Sequence, residues 1–289
     1  MPIPIPDALD ESGALARTKS VQVRSLPRYL LSSALAGAYV GVAVVVLISV
    51  AGPLAASGSA ATKLVQGAVF GVALTLVVFA GAELFTGNVM YMLQGLHART
   101  VRTADLVAVW VASLVGNLVG SIAFAAMVDA GGTLAGGATA GRPGPGEALV
   151  AAVVKAKDSA TGPQLFWRSV LCNMLVCLAL WMAGRTRSDA AKLIVLWWGL
   201  LAFIASGFEH SVANMTIFGL GIFEGSASWG GLFRNLAWTV PGNIVGGGVL
   251  VGLAYAWVGR PAFPVTAAPE PIPEPAVDAP LGELLDQKA

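Results

Sequence analysis

Few residues in this chain could do chemistry, and the informative ones sit inside apolar runs. Glu209 and His210 interrupt an apolar stretch from 193 to 223, and Glu83 interrupts another from 64 to 96. Ionisable groups at membrane depth are costly to hold and mark a functional site by default. A neutral imidazole there can donate a hydrogen bond to an anion or exchange a proton with it. An unpaired carboxylate would repel an anion, so Glu83 and Glu209 read as structural. Each is expected to accept backbone N–H groups that a broken helix leaves open. Asn88 and Asn214 read as anchors of the same kind, and Asn117 and Asn243 as hydrogen-bonding links between helices. Cys172 and Cys177 are five residues apart, a rotation of about 140° around a helix, so they do not share a face. They read as buried free thiols, and neither a metal site nor a cofactor is expected.

Only an apolar framework could position these groups. The chain has 289 residues, of which 56% are apolar and 11% charged, against about 25% charged in a soluble domain. Mean hydropathy is +0.75 and formal net charge is +1. Those values exclude a soluble globular domain, a disordered chain and a nucleic-acid binder. The expected class is an all-α integral membrane protein. Its spans fall at about 30–51, 64–96, 106–128, 166–183, 193–223 and 236–258. Four of the six have the length of one crossing, roughly 20 residues. The second and fifth exceed that, are too short for two crossings, and carry polar residues at their centres. Irregular backbone at membrane depth survives only where it is buried or lines a cavity. Both are therefore expected to be helices broken by midplane loops.

Outside the spans, residues 1–28 form a polar N-terminal segment without a secretory h-region, so the first span is expected to serve as the targeting signal. The Gly/Pro-rich stretch 131–146 reads as an external loop between two halves. The Pro-, Ala- and Glu-rich tail 260–289 reads as disordered. Lys and Arg number 11 on the side of the two termini and 6 on the other, so both termini are expected to be cytoplasmic.

The two broken segments are copies. Gly81, Glu83, Asn88 and Gly95 recur as Gly207, Glu209, Asn214 and Gly221, each shifted by 126 positions. Gly116-Asn117-Leu118-Val119-Gly120 recurs as Gly242-Asn243-Ile244-Val245-Gly246 at the same shift. A duplication explains these identities better than chance does. Three spans per copy is an odd number, so the second copy enters the membrane from the opposite side. The six spans of the membrane domain, 29–259, thus form two inverted repeats, about 29–130 and 155–258. Broken helices at matching positions of inverted halves point to a midplane transport site. Half-helix N-termini there present positive dipole ends, which suit an anion.

The run Gly81-Ala82-Glu83-Leu84-Phe85-Thr86-Gly87-Asn88 resembles the first signature of the formate/nitrite transporter family. The run from Cys172-Asn173 to Leu178-Ala179 resembles its second, and Ala205–Met215 its fifth-helix loop. Ser169 departs from the second signature, which usually has Gly or Ala. Flanks such as Ala38-Tyr39-Val40-Gly41 and Lys192 through Trp197-Trp198 are most similar to the bacterial nitrite channel branch. The resemblance spans roughly residues 30–257. It implies an aquaporin-like protomer, a homopentamer with one pore per subunit, passage of small monovalent anions, a bacterial inner-membrane location and no enzymatic activity.

The resemblance also assigns residues. It puts His210 at the pore centre with Thr86 beside it, and Asn173 as an orienter of His210 or of the first loop. Leu74 and Phe203 match pore-narrowing positions, and Phe70 is placed on a vestibule wall. Counting back from Asn173 makes Lys157, rather than Lys155, the cation at the external mouth, where it would concentrate anions. The expected substrate is nitrite, with formate or hydrosulfide as alternatives and protons as a candidate co-substrate. A neutral-solute channel of the glycerol kind is the reading from another class. The residues alone leave two routes open. An anion could pass on hydrogen bonds from Thr86 and His210, or a weak acid could cross after taking up a proton.

Overall fold

Long apolar runs form the long helices, and the polar or glycine-containing breaks end them. The computed structural model describes residues 1–259, and the expectation for the tail 260–289 lies outside them. The helices are α1 (Ile5–Gln22), α2 (Leu26–Ala56), α3 (Thr62–Phe70), α4 (Val72–Ala80), α5 (Phe85–His97) and α6 (Thr103–Ala130). After a loop come α7 (Pro145–Ser159), α8 (Gly162–Gly184), α9 (Asp189–Ala205), α10 (Ser211–Phe223) and α11 (Trp229–Asn243). A π-helical stretch, Ile244–Leu253, carries α11 on into α12 (Ala254–Val258). Among the described residues there is no strand, only an isolated bridge between Thr139 and Arg142.

Among the described residues, five stretches are long and apolar enough to cross a membrane: 26–56, 62–80, 103–130, 162–184 and 229–258. Large apolar side chains such as Leu31, Val119, Met127, Trp167, Trp198 and Trp257 are exposed on the outside, as a chain solvated by lipid requires. The two expected breaks fall between α4 and α5 and between α9 and α10. At each, a glycine turns the chain: Gly81 has φ 78° and Gly207 has φ 73°, left-handed values that a side chain disfavours.

Small residues let the long helices touch. A Cβ on Gly120 would lie 1.8 Å from the Ala34 carbonyl oxygen of α2. A Cβ on Gly246 would lie 2.0 Å from the Val170 carbonyl oxygen of α8. Without a hydrophobic force between helices in lipid, such backbone approach supplies the packing. The π-helical stretch follows Pro241, which lacks an N–H, and carries three consecutive glycines from Gly246, a combination that loosens the α-helical ladder.

Two helices were not legible as helices. The polar segment 1–28 contains α1, which is tied down rather than trailing. The Ile3 N–H donates to the Arg185 carbonyl and Arg185 Nε donates to the Ile3 carbonyl. Arg187 pairs with Glu11, and Thr100 Oγ1 donates to the Gly13 carbonyl. The Gly/Pro-rich loop is shorter than its composition indicates, because α7 begins at Pro145. Proline is well suited to a first helical position.

One acidic cluster outside the spans makes stability depend on pH. Glu224 ends α10 and shares a small cavity with Asp129 and Glu147. Burial first, then repulsion by Glu147 and Asp129, push its carboxyl up to about 7. A carboxyl that holds its proton more tightly when folded loses stability as pH rises from the ordinary carboxylate range through about 7. The parent protein should therefore melt at a lower temperature at about pH 8 than at about pH 5. Glu224→Gln should reduce that decline, and a melt with equal pH slopes would contradict this account.

Candidate functional site

Each break leaves the first amides of a half-helix without partners, and one asparagine side chain closes each. The Phe85 N–H donates to Asn117 Oδ1 at 2.9 Å, and Asn117 Nδ2 donates to the Ser33 and Glu83 carbonyls at 2.7 and 3.0 Å. The Ser211 N–H donates to Asn243 Oδ1 at 3.0 Å, and Asn243 Nδ2 donates to the Ser169 and Glu209 carbonyls at 2.9 and 3.1 Å. Every partner in the first set maps onto the second, with shifts of 126 for α5 and α6 and 136 for α2. Asn117 and Asn243 are fully buried. They therefore satisfy backbone groups that no water reaches.

This arrangement corrects the expectation for the carboxylates. The half-helix amides go to asparagine, and the carboxylates take charged and amide donors instead. Lys19 Nζ lies 2.8 Å from both Glu83 oxygens, and Glu83 Oε2 also accepts from Tyr29 Oη and Asn88 Nδ2 at 2.9 and 3.0 Å. Lys157 Nζ and Asn214 Nδ2 each lie 2.7 Å from Glu209 Oε2. Asn214 Nδ2 is also held by Asn235 Oδ1 at 2.8 Å. The physical reason is charge. A buried carboxylate needs a cation to offset its lost hydration, and backbone dipoles alone supply less. Lys157 is buried while Lys155 is exposed, so Lys157 is no solvated loop charge. It stands at the C-terminal end of α7, bound to the second break.

The breaks bring Thr86 and His210 together. Thr86 Oγ1 lies 3.0 Å from His210 Nε2, and both residues are buried. His210 is also the N-cap of α10, where its Nδ1 accepts from the Ala213 N–H at 3.1 Å. In a neutral ring, an accepting Nδ1 leaves the proton on Nε2. Nε2–H then donates to Thr86 Oγ1, which leaves the threonine hydroxyl hydrogen available to another acceptor.

Around this pair the wall is apolar. A small cavity at His210 is bounded by Val40, Phe70, Ala73, Leu74, Leu84, Val176, Leu200 and Phe203. The Phe203 ring stacks on the imidazole with centroids 5.8 Å apart, and Phe70 meets Phe203 edge-on at 5.7 Å. Phe70 thus borders the same small cavity as Leu74 and Phe203. Leu74 and Leu84 also line a wider chamber on the α1 side, together with Lys19, Gln22, Glu83 and Tyr91. The hydrogen bonds of Asn173 go to backbone carbonyls. Its Nδ2 donates to the Thr86 and Asn243 carbonyls at 3.1 and 2.7 Å, so it holds the first break.

Sequence reasoning missed Lys19, Tyr29 and Leu84. The duplicated Glu-Asn pairs were a usable signal for Lys19. If Glu209 has a lysine, its copy Glu83 needs one, and Lys19 is the basic residue of α1's last turn. Leu84 occupies the position equivalent to His210 at the shift of 126.

A ring of apolar side chains thus surrounds one buried polar pair, between helix breaks braced by ion pairs. The chain belongs to the formate/nitrite transporter family, whose model matches residues 8–257. It is 43% identical over 238 residues to the nitrite transporter NirC of Escherichia coli K12, covering 81% of this chain and 84% of that one. A solved FNT family ion channel matches with 39% identity and a TM-score of 0.80, covering 88% of this chain and 99% of that one. A pentameric formate channel with formate bound matches with 29% identity and a TM-score of 0.67, covering 82% and 98%. The family is one of transporters and channels, not enzymes.

Two outcomes test this architecture. Asn243→Leu keeps the volume but leaves the Ser211 amide and the Ser169 and Glu209 carbonyls without their side-chain partner. At roughly 1–3 kcal/mol for each stranded group, it should destabilise the purified protein by several kcal/mol or prevent its assembly, read by thermal melting in detergent. Removing one member of a buried ion pair strands the other charge. Lys157→Met should therefore lower the melting temperature more than the double variant Lys157→Met/Glu209→Gln does. The opposite order would show that the pair is not what stabilises the loop.

Proposed function

We propose that this protein is a channel for small monovalent anions, nitrite foremost, across the bacterial cytoplasmic membrane. The observation that carries the reading is the Thr86–His210 pair at 3.0 Å in an otherwise apolar constriction. An anion stripped of water in such a constriction loses hydration worth tens of kcal/mol. The free hydrogen of the Thr86 hydroxyl returns part of it as a charge-assisted hydrogen bond. His210 orients that hydroxyl by donating to its oxygen. The pair works as a donor and not as a proton source, since a neutral imidazole giving up its only ring hydrogen would become an imidazolate. A proton that travels with the anion comes from outside the pair.

The remaining features fit the same reading. We assign six crossings in two inverted repeats, with the second and fifth crossings formed by α3–α5 and α9–α10. The excess of Lys and Arg on the side of the termini makes that side cytoplasmic. Lys157 then stands at the external mouth and Lys19 at the cytoplasmic one, each drawing anions toward the centre while its glutamate fixes it in place. The likeness to NirC supports nitrite over formate, and the likeness to a pentameric formate channel supports assembly as a homopentamer with one pore in each subunit.

Liposomes carrying the purified protein should pass nitrite at least as fast as formate or hydrosulfide, and should not pass glycerol. Formate ahead of nitrite would reassign the substrate within the family, and glycerol flux without anion flux would overturn the anion mechanism. Thr86→Val should lower nitrite flux by about 10- to 100-fold, the equivalent of one hydrogen bond to a charged group, while Thr86→Ser should retain most of it. Equal flux in the valine and parent proteins would remove Thr86 from the mechanism.

A further inference from the structure

The two halves share a common set of hydrogen bonds around their breaks and differ in a few places, one of which bears on Thr86. The shift of 136 relates the hydrogen bonds of α2 to those of α8. Ser33 Oγ donates to the Tyr29 carbonyl and Ser169 Oγ to the Leu165 carbonyl. The Glu83 N–H donates to the Ser32 carbonyl, and the Glu209 N–H to the Arg168 carbonyl. At this shift Asn173 corresponds to Gly37, and Cys177 to Gly41. The α8 half therefore carries two polar side chains where the α2 half carries none.

Both extra side chains bond to one atom. Asn173 Nδ2 lies 3.1 Å from the Thr86 carbonyl oxygen, and Cys177 Sγ lies 3.2 Å from the same oxygen. Both residues are fully buried. Thr86 sits in the first turn of α5, so a carbonyl held from two directions fixes the residue whose hydroxyl meets His210. The equivalent residue of the other half, Val212, has no polar side chain to orient. The α2 positions equivalent to Asn173 and Cys177 are Gly37 and Gly41, which carry no side-chain donor.

The π-helical stretch makes room for this support. A Cβ on Gly247 would come within 2.3 Å of Asn173 Nδ2 and 2.5 Å of Cys177 Sγ. The equivalent residue in α6 is Ser121, whose hydroxyl is spent on the Gly37 carbonyl at 3.3 Å. One half has a bare helix facing a serine. The other has Asn173 and Cys177 facing a bare turn, and their donors are turned toward Thr86.

We infer that Cys177 is a positioning residue of the permeation path, its thiol fixing the Thr86 carbonyl and through it the hydroxyl that the anion meets. This rests on the role given to Thr86 in the functional reading above. A thiol is the fitting group there, because it donates a weak hydrogen bond yet packs as a small apolar side chain. Asn173 has a second duty to the Asn243 carbonyl, so Cys177 is the support that can be removed alone.

The experiment is a double-mutant cycle of anion flux in liposomes, with melting in detergent as a check on assembly. Cys177→Ala should lower nitrite flux by about three- to tenfold, the equivalent of one ordinary hydrogen bond. Cys177→Ser, which keeps a donor, should recover most of it. In a Thr86→Val background, Cys177→Ala should change flux by less than about twofold, because the group it positions is already gone. Parent-level flux in Cys177→Ala, or the same fold loss in both backgrounds, would overturn the inference. The infrared S–H stretch of Cys177, read in a Cys172→Ala background, tests the contact without any flux. A hydrogen-bonded band is expected, and a free-thiol band would overturn the inference even where the alanine variant does not assemble. Failure of the parent to carry nitrite counts against the functional reading alone. The cycle is then run on whichever of formate or hydrosulfide the parent carries.

Discussion

The structure depends on one asparagine side chain at each helix break. A lipid-solvated chain has no water with which to complete its backbone, so a helix can stop at depth only if something else takes its open amides. Asn117 and Asn243 do this with both ends of the amide, accepting from the half-helix and donating to two carbonyls on either side. The close backbone contacts at Gly120 and Gly246, a few residues further along the same helices, bring those carbonyls within reach. Everything at the site follows from the breaks. The breaks place Thr86 in the first turn of one half-helix and His210 at the cap of the other, where the two side chains meet.

Much of the frame recurs between the two breaks, and the site does not. The asparagine plugs and the carboxylates recur at the shift of 126, and each carboxylate pairs with a lysine. The two residues that meet at the centre do not recur, since His210 corresponds to Leu84 and Thr86 to Val212. A strictly symmetric centre would hold two histidines or two threonines. Here the first half supplies an aliphatic wall and a hydroxyl, and the second supplies an imidazole that is both helix cap and hydrogen-bond donor. The result is one polar pair set in an apolar ring.

Where the sequence could be read, it was through patterns that lipid enforces. Overlong apolar runs with polar centres located both breaks, and recurrence at a shift of 126 tied Glu83 to Glu209 and Asn117 to Asn243. The partners of the carboxylates were not legible. Lys19 lies 64 residues before Glu83 and Lys157 lies 52 before Glu209, and neither separation follows a helical or strand period. The expectation that backbone amides would satisfy Glu83 and Glu209 failed because each asparagine takes those amides first. α1 and α7 escaped notice because a polar segment with prolines and a Gly/Pro-rich linker look like coil until a tertiary surface orders them. The support of Thr86 by Asn173 and Cys177 was hidden for a further reason. It depends on what is absent opposite them at Gly247 and at the equivalent positions, Gly37 and Gly41.

The order of each ion pair along the chain bears on how the protein is made. In both halves the lysine precedes the glutamate. As the chain is synthesised, each cation is therefore made before its carboxylate, and neither acid depends on a later segment for its partner.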